Sequence, residues 1–344
     1  RLGRLTFIPP AMPEVSDLIA PIICGFVGKT YGWHYGVTLL SAVFMGAVYF
    51  VYKTMHLHSS YKEDLCISRS KLLMSITLLI ALLYLLFKYQ ESLHGLMGVV
   101  TCGSIVYLGK IFYQCNAEER KDVSSIIAYI LLFAIFCALY EQAGTSLMLF
   151  YEKAVDREMM GSVIPSSAFL SLDPLFVLLW GPFLLFLSSR YRGKMTPVNG
   201  FIKTGCGFLC IAASFGILAL STLQRDASSI PLIWIVGAFF IQTIGELWVA
   251  PISFSKISQH APLRYKSVMM SFWQIAIAYG HYFAGFIAQF SLSSPTPLSI
   301  DNSFEQYQSF FLYLTVVASC VGLLLLLYQG GKNGIMIIKR KNIL

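Results

Sequence analysis

The chain has 344 residues, of which 56% are hydrophobic and only 12% charged, about half the charged share of an ordinary soluble domain. A soluble core of this size cannot hide so many apolar side chains, and with a mean hydropathy of +0.68 the surplus has to face lipid, which excludes an ordinary soluble enzyme and a disordered chain. The net charge of +8 is what basic cytoplasmic loops give a membrane protein and calls for no nucleic acid.

A helix needs about 20 apolar residues to cross a bilayer. In chain order the candidates are residues 15–27, 35–51, 71–87, 95–113, 125–150, 169–187, 201–220, 230–254, 267–290 and 310–328. Unpaired backbone amides are not tolerated in lipid, and these runs are too long and too uniformly apolar for barrel strands. The predicted fold class is therefore all-α and polytopic, with about ten membrane helices. The basic residues orient it. Placing residues 53–71 inside puts seventeen Lys and Arg on that side and leaves five opposite: Lys29, Lys88, Lys153, Arg157 and Arg225. That asymmetry predicts a cytoplasmic C-terminus, with Lys339, Arg340 and Lys341 anchoring the tail at the inner leaflet.

Ionisable residues inside spans cost at least about 2.5 kcal/mol each unless they face protein or water, so they mark function by default. Three carboxylates qualify. Glu141 lies in Ala138-Leu-Tyr-Glu-Gln-Ala-Gly-Thr-Ser146, where small and polar residues give the helix a face that meets water or another helix. Asp173 lies near the outer end of its span and precedes Pro174, which predicts a bend. Glu246 is the sole acid of a long apolar run, and Gly245 beside it admits close approach. Each acid could instead pair with a structural partner or sit at headgroup level. Buried carboxyl groups that take up and return a proton are natural carriers of a transported proton.

The remaining signals are weaker. Trp273, in mid-helix, reads as packing before a ligand platform. His281 suits a helix–helix hydrogen bond, and His34 sits among boundary aromatics. The eight cysteines form no CxxC pair and read as small buried hydrophobes, not as a metal site or disulfide framework. Without a Walker motif, nucleophile elbow, HExxH or haem signature, no catalytic constellation is predicted.

At these residues the chain becomes recognisable. Tyr140-Glu-Gln-Ala-Gly-Thr-Ser-Leu147, then Val155-Asp-Arg157, Ile164-Pro-Ser-Ser167 and Leu170-Ser-Leu-Asp-Pro-Leu-Phe176, resemble the seventh and eighth helices of the proton-dependent oligopeptide transporters. That family belongs to the major facilitator superfamily. Ile244-Gly-Glu-Leu247 with Pro251, then Ala261-Pro262 and Met269-Met270 with Trp273, resemble its tenth and eleventh helices. Ala20-Pro-Ile-Ile-Cys-Gly25 and Tyr31-Gly-Trp-His34 resemble its fifth and sixth.

The resemblance implies a major facilitator fold truncated at the N-terminus, the first four helices being absent. It divides the chain into residues 1–53, a remnant of the N-terminal bundle; 54–121, a cytoplasmic loop and inserted helical pair; 122–330, the C-terminal six-helix bundle; and 331–344, a basic tail. The implied function is proton-coupled symport of di- and tripeptides across the bacterial cytoplasmic membrane. The implied partners are those peptides, protons and the bilayer, with no cofactor and no metal. The alternatives are an inactive membrane-embedded fragment and a proton-coupled carrier of another small solute. By resemblance Glu141 serves proton coupling and gating, while Glu246, Asp173, Trp273 and Gln142 face the substrate. Glu246 would receive the peptide's amino terminus. Asp173 stands where the family usually has Asn, and Cys137 where some members have Trp.

Overall fold

The computed structural model describes residues 8–57, 92–159, 161–190, 199–223, 229–291 and 300–341, and single positions between 74 and 89. The helices are α1 (Ile8–Tyr31), α2 (Trp33–Leu57), α3 (Ser92–Gln114), α4 (Ala117–Tyr140), α5 (Ser146–Ala154), α6 (Leu172–Arg190), α7 (Gly200–Ser221), α8 (Leu232–His260), α9 (Lys266–Ser291) and α10 (Ile300–Lys341). Seven stretches among the described residues are long and apolar enough to cross a membrane. They begin at Trp33, Leu93, Ala117, Ser166, Gly200, Leu232 and Phe304. The protein is a multi-pass membrane protein. The predicted span 71–87 falls largely outside the described residues.

The chain divides into two compact units, residues 38–121 and residues 1–37 with 122–344. In the smaller unit, Arg120 closes the C-terminus of α3. Its guanidinium donates to the carbonyls of Phe112 and Tyr113 at 3.0 and 3.2 Å and lies over the Phe112 ring, using up carbonyls that a helix end leaves unpaired. Cys102, on this helix, is exposed rather than buried, as is Cys320 on α10.

In the larger unit, α7 runs between α8 and α10. Asn199 starts it, its side-chain oxygen accepting from Phe201 N at 2.9 Å. Glycines set the spacing on both sides. A Cβ on Gly245 of α8 would lie 2.8 Å from the Gly207 carbonyl of α7, and one on Gly322 of α10 would lie 2.9 Å from the Gly205 carbonyl. Helices in lipid associate by such close backbone approach, because lipid tails are as apolar as the side chains. An aromatic cluster fills one end, with Phe150 of α5 edge-on to Tyr307 and Phe311 of α10 at 5.1 and 4.9 Å.

A short hairpin, β1 (Glu158–Met159) with β2 (Ser162–Val163), turns at Gly161, whose φ of +78° suits glycine. Lys29 of α1 donates to the Val163 carbonyl at 2.5 Å. α1 packs on the 3₁₀ turn Ser166–Ser171 and on α6. α1 therefore folds with the C-terminal bundle.

Candidate functional site

The predicted helix 125–150 is two helices. α4 ends at Tyr140, a 3₁₀ turn covers Glu141–Gly144, and α5 begins at Ser146. Thr145 between them has φ −122° and ψ −96°. Interrupted backbone inside a membrane has to recover its hydrogen bonds from side chains, and two glutamines supply them. Gln142 Nε2 donates to the carbonyls of Ala138 and Ala284 at 2.9 and 3.3 Å, and its Oε1 accepts from Ser146 at 2.6 Å. Gln242 of α8 donates to the Tyr140 carbonyl at 3.3 Å and accepts from Ser214 of α7 at 3.4 Å. Gln142, expected among the substrate contacts, is fully buried and spends its oxygen and both amide hydrogens on the helix break. It ties α4 to α9.

The break leaves the Tyr140 side chain pointing into the bundle. Its hydroxyl lies in hydrogen-bond contact with Asp173 Oδ2 and 2.9 Å from Glu246 Oε2. One phenol thus joins carboxyls from α6 and α8. Asp173 is the second residue of α6, so Pro174 falls in the first turn, where its missing N–H costs nothing. The expected bend at Pro174 is replaced by a helix start, with the 3₁₀ turn Ser166–Ser171 leading into it. Thr243 precedes Glu246 by three residues on the same face of α8. Its hydroxyl is 2.8 Å from Asp173 Oδ1 and 2.9 Å from the Phe239 carbonyl.

Glu141 is beside this group with its own partner. His281 of α9 places Nδ1 3.3 Å from Glu141 Oε2, the side chains being 57% and 29% exposed, and Asp173 and Glu246 are half-buried beside them. Glu14 and Asp17 of α1 add negative charge to the same region. Neither Asp173 nor Glu246 has a Lys or Arg ion-pair partner among the described residues.

Trp273 is apart from the carboxyls. It stacks on Phe133 at 5.2 Å and meets Phe254 edge-on at 5.4 Å. Phe133 lies two turns, about 10 Å of helix rise, before Tyr140 on α4. The indole N–H is buried without a hydrogen-bond partner. Beside this slot α9 comes close to α4. A Cβ on Gly280 would meet the Cys137 side chain and, at 3.2 Å, its carbonyl carbon, so a small residue at 137 fits this crossing.

Sequence reasoning brought out the three acids and gave His281 a helix–helix contact, which it makes with Glu141, but missed Tyr140, Thr243 and Gln242. The available signals were a hydroxyl adjoining Glu141 and a hydroxyl one turn from Glu246.

Carboxyls from two helices meet one tyrosine beside a broken helix, an arrangement of the kind that membrane carriers place at their binding sites. A profile of the POT family matches residues 16–308, and the chain belongs to that family. Dipeptide and tripeptide permease A of Escherichia coli is 24% identical over 323 residues, covering 91% of this chain and 64% of the permease. The permease A of Salmonella typhimurium is 24% identical over 258 residues, covering 74% and 50%. The chain thus spans half to just under two thirds of the length of these relatives. Among solved structures, a peptide transporter POT in complex with alafosfalin superposes with a TM-score of 0.73 at 23% identity, covering 92% of this chain and 65% of that one. A POT family transporter in complex with 5-aminolevulinic acid gives 0.69 at 21%, covering 92% and 66%. These likenesses fix the fold.

Proposed function

We propose that the protein carrying this sequence imports di- and tripeptides together with protons across the bacterial cytoplasmic membrane, as a multi-pass carrier with a cytoplasmic C-terminus. One observation carries the reading. Asp173 and Glu246, from different helices, meet half-buried on one tyrosine, with no Lys or Arg paired to them among the described residues. Carboxyls in low dielectric without a partner are costly, and a peptide's terminal ammonium is a cation of the right size and hydrogen-bonding capacity to complete them. Glu246 is the acceptor for that ammonium. Glu141, paired with His281, serves proton coupling and gating. No cofactor enters, the proton being the coupling ion, and no bond is made or broken in the substrate. The permeases named above support peptides as the cargo.

The test is uptake of a labelled dipeptide under an inward proton gradient, with the protein expressed from its full reading frame and reconstituted in liposomes. Removing one partner of a buried charge pair costs about 2–5 kcal/mol, so Glu246→Gln is expected to lower uptake by about 30-fold or more. Normal proton-driven uptake by this variant refutes the proposal. The second acid, Asp173, favours one other reading on the same fold, a carrier of small solutes bearing amino groups. Competition of such solutes against the labelled dipeptide decides between them.

A further inference from the structure

The contacts around Tyr140 contain fewer hydrogens than they need. Three oxygen–oxygen contacts join side chains here: Tyr140 with Asp173, Tyr140 with Glu246, and Thr243 with Asp173. Each requires one hydrogen between its oxygens. Tyrosine and threonine hydroxyls carry one apiece, and ionised carboxylates carry none. Two hydrogens cannot serve three contacts, and the Phe239 carbonyl competes for the one on Thr243. With both acids ionised, one contact would bring two lone pairs together inside the bundle, which is costly at low dielectric.

One more hydrogen closes the three side-chain contacts, with Thr243 donating to Asp173 in place of the Phe239 carbonyl. Placed on Asp173 Oδ2, it is donated to the Tyr140 oxygen, Tyr140 donates to Glu246, and Thr243 donates to Asp173 Oδ1. Placed on Glu246 instead, it is donated to Tyr140, which then donates to Asp173. The two arrangements differ only by shifting hydrogens along the same two contacts.

We propose that Tyr140 makes Asp173 and Glu246 a single unit that holds one proton between them, and that Asp173 keeps this proton when a substrate cation occupies Glu246. Asp173 suits that part because hydroxyls flank both of its oxygens, Tyr140 on one side and Thr243 on the other. A neutral Asp173 is fully satisfied while a charged Glu246 turns to an ammonium. One proton and one cation then neutralise the pair, a one-to-one balance for this site.

The surrounding groups favour this count. α1 contributes Glu14 and Asp17, the 3₁₀ turn contributes Glu141, and α4 contributes the Cys137 thiol. α7, on the far face of α8, contributes the thiols of Cys206 and Cys210. His281 of α9 is engaged by Glu141. The carboxyl neighbours add negative charge to this region, and the nearby histidine is paired with Glu141. The use made of the proton rests on the transport proposal, whereas the hydrogen count does not.

The experiment is infrared spectroscopy of the purified protein in lipid, following the C=O stretch of protonated carboxyls through a pH titration. Asp173→Asn keeps the side-chain shape and brings its own donor hydrogens, so it removes the need for the extra proton. The wild type is expected to show one protonated carboxyl more than Asp173→Asn at neutral pH. Tyr140→Phe, which breaks the link, is expected to shift the midpoint of that signal by about tenfold in proton concentration, the worth of one hydrogen bond. A purely structural tyrosine would leave the midpoint in place. Equal numbers of protonated carboxyls in wild type and Asp173→Asn overturn the proposal, as does an unmoved midpoint in Tyr140→Phe. Absence of dipeptide transport beside an intact infrared signal would sink the transport reading and leave the proton unit standing.

Discussion

The two faces of α8 do opposite jobs with adjacent residues. Gly245 presses against the Gly207 carbonyl of α7 so closely that a Cβ has no room. Glu246, the next residue, turns toward α4 and α6 and ends in a hydrogen-bonded array shared with Tyr140. The first face is held by shape and has nothing to exchange with solvent or ligand. The second is held by polar contacts that a ligand's own groups can replace. The binding role proposed for Glu246 needs both, because the rigid face fixes where the adaptable one points.

Three substitutions probe that contrast, in falling order of effect. Gly245→Leu drives a side chain into the α7 backbone, which cannot yield as a side-chain tip would. A loss of stability of about 3 kcal/mol is expected, at the upper end for overpacking, and thermal unfolding in detergent should show a clearly lowered midpoint. A midpoint equal to the wild type's would mean that α7 and α8 are not in backbone contact. Gln242→Leu touches the adaptable side. It strips the Tyr140 carbonyl of its α8 donor and the Ser214 hydroxyl of its acceptor. Leaving a buried polar group unmet costs about 1–3 kcal/mol, and the loosened end of α4 should also weaken dipeptide affinity. Trp273→Phe is the mildest. It retains the stack on Phe133 and deletes an N–H that has no partner. Stability should move by less than about 0.5 kcal/mol, so any larger change in dipeptide affinity would assign the indole N–H to the substrate.

The sequence carried the polytopic helical fold in its hydropathy, and the acids in their cost. Glu141, Asp173 and Glu246 stand out because lipid tolerates no idle carboxyl. What joins them was not legible. Tyr140 adjoins Glu141 in the chain, yet its hydroxyl serves Asp173 and Glu246, 33 and 106 residues away. Such pairings depend on how helices are rotated against one another, which periodicity leaves open when all faces are apolar. The helix break at Glu141–Gly144 was hidden for a similar reason. Its sequence is hydrophobic enough on both sides to read as one span, and the groups that repair it, Gln142 and Gln242, read as ordinary polar residues until their partners are known. The bend expected at Pro174 failed because a proline's effect depends on its place in the helix, and here the helix begins beside it.

The most direct measurement compares equilibrium binding of a dipeptide with that of the same dipeptide acetylated at its amino terminus, using the purified wild-type protein and Glu246→Gln. Recognition by the inward-facing carboxyls predicts that the wild type binds the free amine at least about tenfold more tightly, a modest return for one charge-assisted hydrogen bond. It also predicts that Glu246→Gln erases the difference. Equal affinity of the wild type for both peptides would contradict the account.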